Sequence, residues 1–199
     1  MKNTFPAFYF GPIDYFADIV KSDAIDIEVS ENFQKQTYRS RCNILGANGK
    51  LQLLIPLNHD GSRAMKDIKL SYDHKWQKEH LKSLRSAYLS SPYFEYYEDE
   101  ITPFFETQEK YLLDLNLKTI DFILSKLRIE TEVQHTTAYQ VLDPAFDFRN
   151  KYNAKKPSGI EFPEYAQVFD DKFDFVPGLS ILDLLFSEGP HAAIYLKNL

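Results

Sequence analysis

Residues 30–59 read SENFQKQTYRSRCNILGANGKLQLLIPLNH. A polar, basic run here passes directly into a hairpin pattern. Taken as a strand, residues 35–41 place Lys35, Thr37, Arg39 and Arg41 on one face and Gln34, Gln36, Tyr38 and Ser40 on the other, because side chains alternate along a strand. Three cations on one face, the nearest two about 7 Å apart, repel one another unless carboxylates or a bound anion lie among them. Arginine suits an anion site, since its planar fork grips a carboxylate or phosphate at two points. An edge strand that uses charge to discourage sheet-to-sheet pairing accounts for the same pattern.

The second half predicts an antiparallel pair. Cys42–Leu45 and Lys50–Leu57 flank Gly46-Ala47-Asn48-Gly49, where Asn and Gly tolerate the positive φ of a tight turn. The apolar centre of LQLLIPL predicts cover on both faces until Pro56, which cannot donate to a ladder, ends the pairing. The hairpin is therefore expected inside a larger sheet.

Working toward the N-terminus, TFPAFYF (residues 4–10) predicts a short edge strand. Pro12 and Asp14 suit the first turn of a helix that carries Ile13, Phe16, Ala17 and Val20 at helical spacing. Ile25, Ile27 and Val29 then alternate with acids as a half-exposed strand. Strand, helix and strand in this order predict a parallel βαβ unit, with Gly11-Pro12 and Ser30-Glu31-Asn32 at the sheet end where open α/β sheets bind ligands.

Beyond the hairpin, NHDGSR reads as a loop and MKDIKLS as a further strand. A helix capped by Asp73 is expected to run to about Leu89 with Trp76, His80, Leu84, Ala87 and Tyr88 on one face. Pro92 and Pro103 bracket a short helix with Phe94, Tyr97 and Ile101 inward. Leu113, Leu117, Ile120, Leu124 and Leu127 mark a longer one that Asn116 could divide by capping its second half. Ile129–His135 alternates as a late strand. Residues 139–165 form a long loop whose Arg149, Lys151, Lys155 and Lys156 are either solvated or able to close over an anion. Ser180-Ile181-Leu182-Asp183 resembles a capping box that starts a helix halted by Gly189-Pro190.

At 199 residues, 44% hydrophobic and 26% charged, the chain is expected to fold as one α/β domain: a mixed sheet, with the βαβ unit and the hairpin, covered by helices. A net charge of −6 argues against nucleic acid, and no apolar run is long enough for membrane insertion. The single cysteine, Cys42, reads as a small buried hydrophobe and fits a reducing, cytoplasmic setting. No phosphate-loop, dinucleotide, serine-hydrolase or metal-ligand spacing is present. The pattern leaves cofactor and oligomeric state unassigned.

YFGPIDYF, ENFQKQTYRSRCNILGANGKLQLLIPL, WQKEHLKSLRSAYLSSPYFEYY and LSILDLLFSEGP together resemble the WbqC-like proteins over about residues 5–196. That family takes its name from a protein encoded among bacterial O-antigen synthesis genes. The resemblance implies a bacterial protein of surface-polysaccharide metabolism, a transferase acting on a sugar or on an activated acyl or amino donor. It directs attention to Tyr15, Lys35, Tyr38, Arg39, Arg41, Trp76 and His80. On this reading Lys35, Arg39 and Arg41 hold the anionic group of a small donor and Tyr15 or Trp76 supports its ring or acyl part. His80 or Glu31 serves as base. The alternative is a non-catalytic binding or assembly protein that recognises an anionic partner through the same cations.

Overall fold

The computed structural model describes residues 2–58 and 60–199; His59, within the NHDGSR loop, lies outside them. Strand β1 (Asn3–Pro6), helix α1 (Ile13–Val20) and strand β2 (Ala24–Glu28) form the expected parallel βαβ unit, with Phe5 opposite Ile27. A late strand, β5 (Glu132–His135), adds to β2 in parallel, giving the order β1-β2-β5. Phe5, Ile25 and Ile27 are fully buried.

β1 stops well short of residue 10. Ala7 O accepts from Asn116 Nδ2 at 2.9 Å, Phe8 O from Thr119 Oγ1 at 3.3 Å and Phe10 O from Ser180 Oγ at 2.7 Å. Side chains thus satisfy backbone groups that a ladder would otherwise bond. Phe10, at φ 41°, turns the chain toward α1.

The hairpin comprises β3 (Arg41–Gly46) and β4 (Gly49–Leu54), antiparallel, with Gly46 opposite Gly49. Gly49 alone in the turn takes a positive φ, 98°. Contrary to expectation, this pair is a separate two-stranded sheet. β4 is covered only around Leu53, which is buried; Leu51, on the same face, is 41% exposed and Leu54, on the other, 48%. Pairing ends before Pro56, as expected from its missing N–H.

Residues 35–40 are not a strand, and Arg41 opens β3. Gln36 sits at φ 60°, Thr37 Oγ1 donates to Gln34 O at 2.8 Å, and successive turns carry the chain to β3. Side-chain parity is lost at the turns, so Lys35, Arg39 and Arg41 do not share a face. MKDIKLS also departs from a strand. Met65–Asp67 is one 3₁₀ turn, and the next residues make isolated bridges, Leu57 to Leu70 and Lys69 to Tyr111.

Helices α2 (Trp76–Tyr88), α3 (Phe94–Ile101), α4 (Pro103–Glu106) and α5 (Leu112–Leu127) follow. The expected inner face of α2 is buried throughout: Trp76, His80, Leu84, Ala87 and Tyr88. Asp73 does not cap it; its carboxylate accepts instead from Ser71 Oγ. Asn116 does not divide α5. It is fully buried within the helix, and its amide donates to Ala7 O at 2.9 Å and Arg39 O at 2.8 Å.

Residues 136–179 cross the protein without a helix or a named strand. Buried polar groups fix their course. Asp183, on α6 (Ile181–Glu188), accepts from Tyr88 and Tyr165 hydroxyls, each at 2.7 Å, and from Gln167 Nε2 at 3.1 Å. Ser180 caps α6 by accepting from Leu182 N, but the Asp183 carboxylate turns inward rather than completing the box. A 3₁₀ turn at Gly189–His191 leads into α7 (Ala192–Asn198), which packs on α1. No helix among the described residues is long and apolar enough to cross a membrane.

Candidate functional site

The segment leaving the carboxyl end of β2 lines an open cleft of about 860 Å³. Asn32, Phe33 and Lys35 come from that segment, Ser40 and Arg41 from the entry to the hairpin, and Arg63 from the loop beyond it. Phe33 N donates to Arg63 O at 2.7 Å and Ile55 N to Ser40 O at 2.9 Å, so the backbone fixes the walls. Among the described lining residues three cations, Lys35, Arg41 and Arg63, occur without a carboxylate. The Arg41 guanidinium donates from Nη1 to Gln52 Oε1 at 3.0 Å, while its buried Nε–H has no partner. An unpaired buried donor is costly, because its lost hydration is not made good within the protein.

Arg39 is the anchor of this wall. It is 1% exposed; Nε donates to Glu31 Oε1 at 2.7 Å and Nη2 to Glu31 Oε2 at 2.6 Å. Nη2 also reaches Arg149 O at 3.3 Å. Burial pushes the Glu31 carboxyl above its ordinary value and Arg39 opposes that shift. A second buried pair lies alongside: Arg149 Nη1 donates to Glu28 Oε2 at 3.0 Å, and its Nε and Nη2 grip Asp147 at 2.8 and 2.6 Å. Arg149, read from sequence as solvated or anion-binding, instead pins the long loop to the end of β2.

His80 is 4% exposed and both ring nitrogens are engaged. Nε2 lies 3.1 Å from Leu54 O, an acceptor only, so Nε2 carries the proton and Nδ1 accepts from the Tyr9 hydroxyl at 3.1 Å. Burial lowers its pKa to about 4. Tyr15 is fully buried with its hydroxyl on Pro6 O, and Trp76 is 2% exposed with its indole N–H on Ser71 O. Of the residues singled out in the sequence, Lys35 and Arg41 meet in the cleft, joined by Arg63, which the period-2 reading did not include. Glu31, Arg39, Tyr15, Trp76 and His80 belong to the interior that shapes it.

Tyr38 faces a different cavity. About 520 Å³ lies beneath residues 153–162, lined also by Asp14, Lys50, Lys155 and Lys156. Asp14 is 6% exposed; its carboxylate accepts the Tyr15 N–H at 3.1 Å, and no described cation lies within 4 Å. Burial pushes its pKa up to about 6, backbone hydrogen bonding opposing the shift. Burial draws Lys50 below the ordinary lysine value. The sequence offered Asp14 only as a helix-dipole residue, because its setting depends on a loop about 140 residues away. No metal-binding cluster occurs among the described residues.

Comparison with known proteins gives one family: a model described as the WbqC-like protein family matches residues 7–156. The chain is also 26% identical over 211 residues to the uncharacterized protein Rv1507c of Mycobacterium tuberculosis, covering 92% of this chain and 91% of that protein. No solved structure matches.

Proposed function

The chain belongs to the WbqC-like protein family, and from that premise, together with the cation-lined cleft, we propose that it is a transferase of bacterial surface-polysaccharide metabolism that binds an anionic sugar, acyl or amino donor. Lys35, Arg41 and Arg63 hold the donor's phosphate or carboxylate. The observation that carries this reading is the presence of three cations without a carboxylate among the described lining residues, one of them with an unpartnered buried N–H. Arginine supplies the two-point grip that a phosphate or carboxylate requires, and lysine supplies a point charge. The cleft volume falls in the range of small-molecule sites, roughly 300–1,000 Å³. His80 and Glu31, first considered as bases, are committed to internal hydrogen bonds, so their part in this reading is to hold β4 and the cleft wall in place.

The test is product release from nucleotide sugars, acyl-coenzyme A and amino donors, with the wild type and Arg41→Ala compared. Turnover of one donor class that falls at least tenfold in the variant supports the transferase reading. Donor binding with no product in any class supports instead a non-catalytic protein that recognises an anionic partner. That second reading is favoured by the committed state of His80 and Glu31.

A further inference from the structure

The cavity beneath residues 153–162 combines features that the basic cleft lacks. It contains a nearly buried carboxylate, Asp14, that no described cation neutralises at close range. Asp18, one helical turn on, is already committed, accepting from Lys151 Nζ at 2.7 Å and from the Tyr152 hydroxyl at 2.6 Å, while Glu161, on the covering loop, adds a second carboxylate to the cavity lining. Lys50, Lys155 and Lys156 line the same cavity without forming an ion pair within 4 Å among the described residues. Their ammonium groups and the Asp14 carboxylate therefore stand in one enclosure, uncombined. Tyr38 adds an aromatic wall with a polar tip.

The Asp14 carboxylate accepts the Tyr15 N–H but has no ion-pair partner within 4 Å among the described residues, so backbone hydrogen bonding and the more distant Lys151 offset its burial only in part. The deficit is made good by a ligand that brings its own cation. The lysines, on β4 and on the covering loop, are exposed and place three positive charges around the same cavity, where an anion can meet them. We propose that this cavity is a second ligand site, for a small molecule carrying both an ammonium group and a phosphate or carboxylate. Asp14 takes the ammonium, and Lys50, Lys155 and Lys156 take the anion. The site is independent of the basic cleft: Asp14 and the lysines line only the one, Lys35, Arg41 and Arg63 only the other.

Titration of the full chain with 2-aminoethyl, 3-aminopropyl and 4-aminobutyl phosphate, and with the matching alkyl phosphates that lack the amine, tests this by two-dimensional NMR. At least one aminoalkyl phosphate is expected to bind about tenfold or more tightly than its alkyl counterpart, with shifts at residues 14, 50 and 153–162. Asp14→Asn, which keeps shape and the bond to Tyr15 N–H, is expected to fold and to reduce that preference to near unity. Lys155→Gln with Lys156→Gln is expected to weaken both members of each pair. Arg41→Ala, which alters the other cleft, leaves the preference intact, so failure here is distinguishable from failure of the basic-cleft reading. Equal affinity for amine and non-amine probes, a preference that survives in Asp14→Asn, or no binding of any probe would overturn the proposal.

Discussion

Arg39 and Glu31 meet through two parallel hydrogen bonds, Nε to Oε1 at 2.7 Å and Nη2 to Oε2 at 2.6 Å, with side chains only 2% and 3% exposed. A pair this deep tethers the segment between β2 and the hairpin to the interior while its neighbours Tyr38 and Arg41 face two different cavities. Removing one partner strands the other charge. Arg39→Ala or Glu31→Ala is expected to lower unfolding free energy by about 3–5 kcal/mol. Arg39→Met combined with Glu31→Leu should cost much less than the sum of the two alanine changes. Urea denaturation midpoints of the three variants measure this, and additive losses would contradict it.

His80 gives the protein an acid sensitivity with a defined sign. Its folded pKa, about 4, lies below the unfolded value of about 6.5, so the unfolded chain binds the extra proton first. The contribution is fully present above pH 6.5 and is lost as pH falls toward 4, amounting to about 3 kcal/mol. His80→Gln is expected to be less stable than the wild type at pH 7.5, because it disturbs the bonds to Tyr9 and Leu54, with the gap narrowing by pH 4.5. Parallel urea melts at the two pH values check the slope.

Asp14 has the opposite sign. Its folded pKa, about 6, is above the ordinary 3.8, so its favourable contribution exists at low pH and is lost as pH rises through 6. Above that point the ionised, buried carboxylate costs the fold up to about 3 kcal/mol. Asp14→Asn should therefore be more stable than the wild type at pH 7.5 and close to it at pH 4. A variant less stable at both values would show that the carboxylate is structurally satisfied.

Asn116 joins α5 to two loops by donating to Ala7 O and Arg39 O. Asn116→Leu leaves both carbonyls without these donors and is expected to cost about 2–6 kcal/mol, at roughly 1–3 kcal/mol for each group left unpaired. Thermal melting of Asn116→Leu against Leu117→Ala, a half-buried neighbour on the same helix, separates loss of the bonds from loss of packing.

Local rules carried much of this fold. The βαβ unit, the hairpin and the buried face of α2 were legible because period-2 and period-3.6 patterns encode them directly. The strand expected at 35–41 failed at Gln36, whose positive φ is invisible to a periodicity argument. Once the chain turns there, Arg39 points inward and Lys35 outward, and alternation no longer says which cations gather. Asn116 looked like a cap because asparagine caps helices often, yet its partners lie 109 and 77 positions away in sequence. Arg63 and Asp14 escaped notice for the same reason: each becomes a wall of a cavity only when distant loops fold against it. Lys35 and Arg41 both line the basic cleft, but the sequence singled them out through the basic character of the run rather than through the geometry that brings them together.

The most direct test of the proposed anion-binding role of the basic cleft is equilibrium titration of pyrophosphate and a nucleoside-diphosphate sugar, at low and high salt, into the wild type and a Lys35→Ala/Arg41→Ala/Arg63→Ala variant. All three side chains are at least partly exposed, so the variant should fold. The wild type is expected to bind, more weakly as salt screens the cations, and to gain about 2.7 kcal/mol of stability at 100 times the dissociation constant. The triple variant should show neither effect. Undiminished affinity in the variant, or no binding of either ligand to the wild type, would contradict the account.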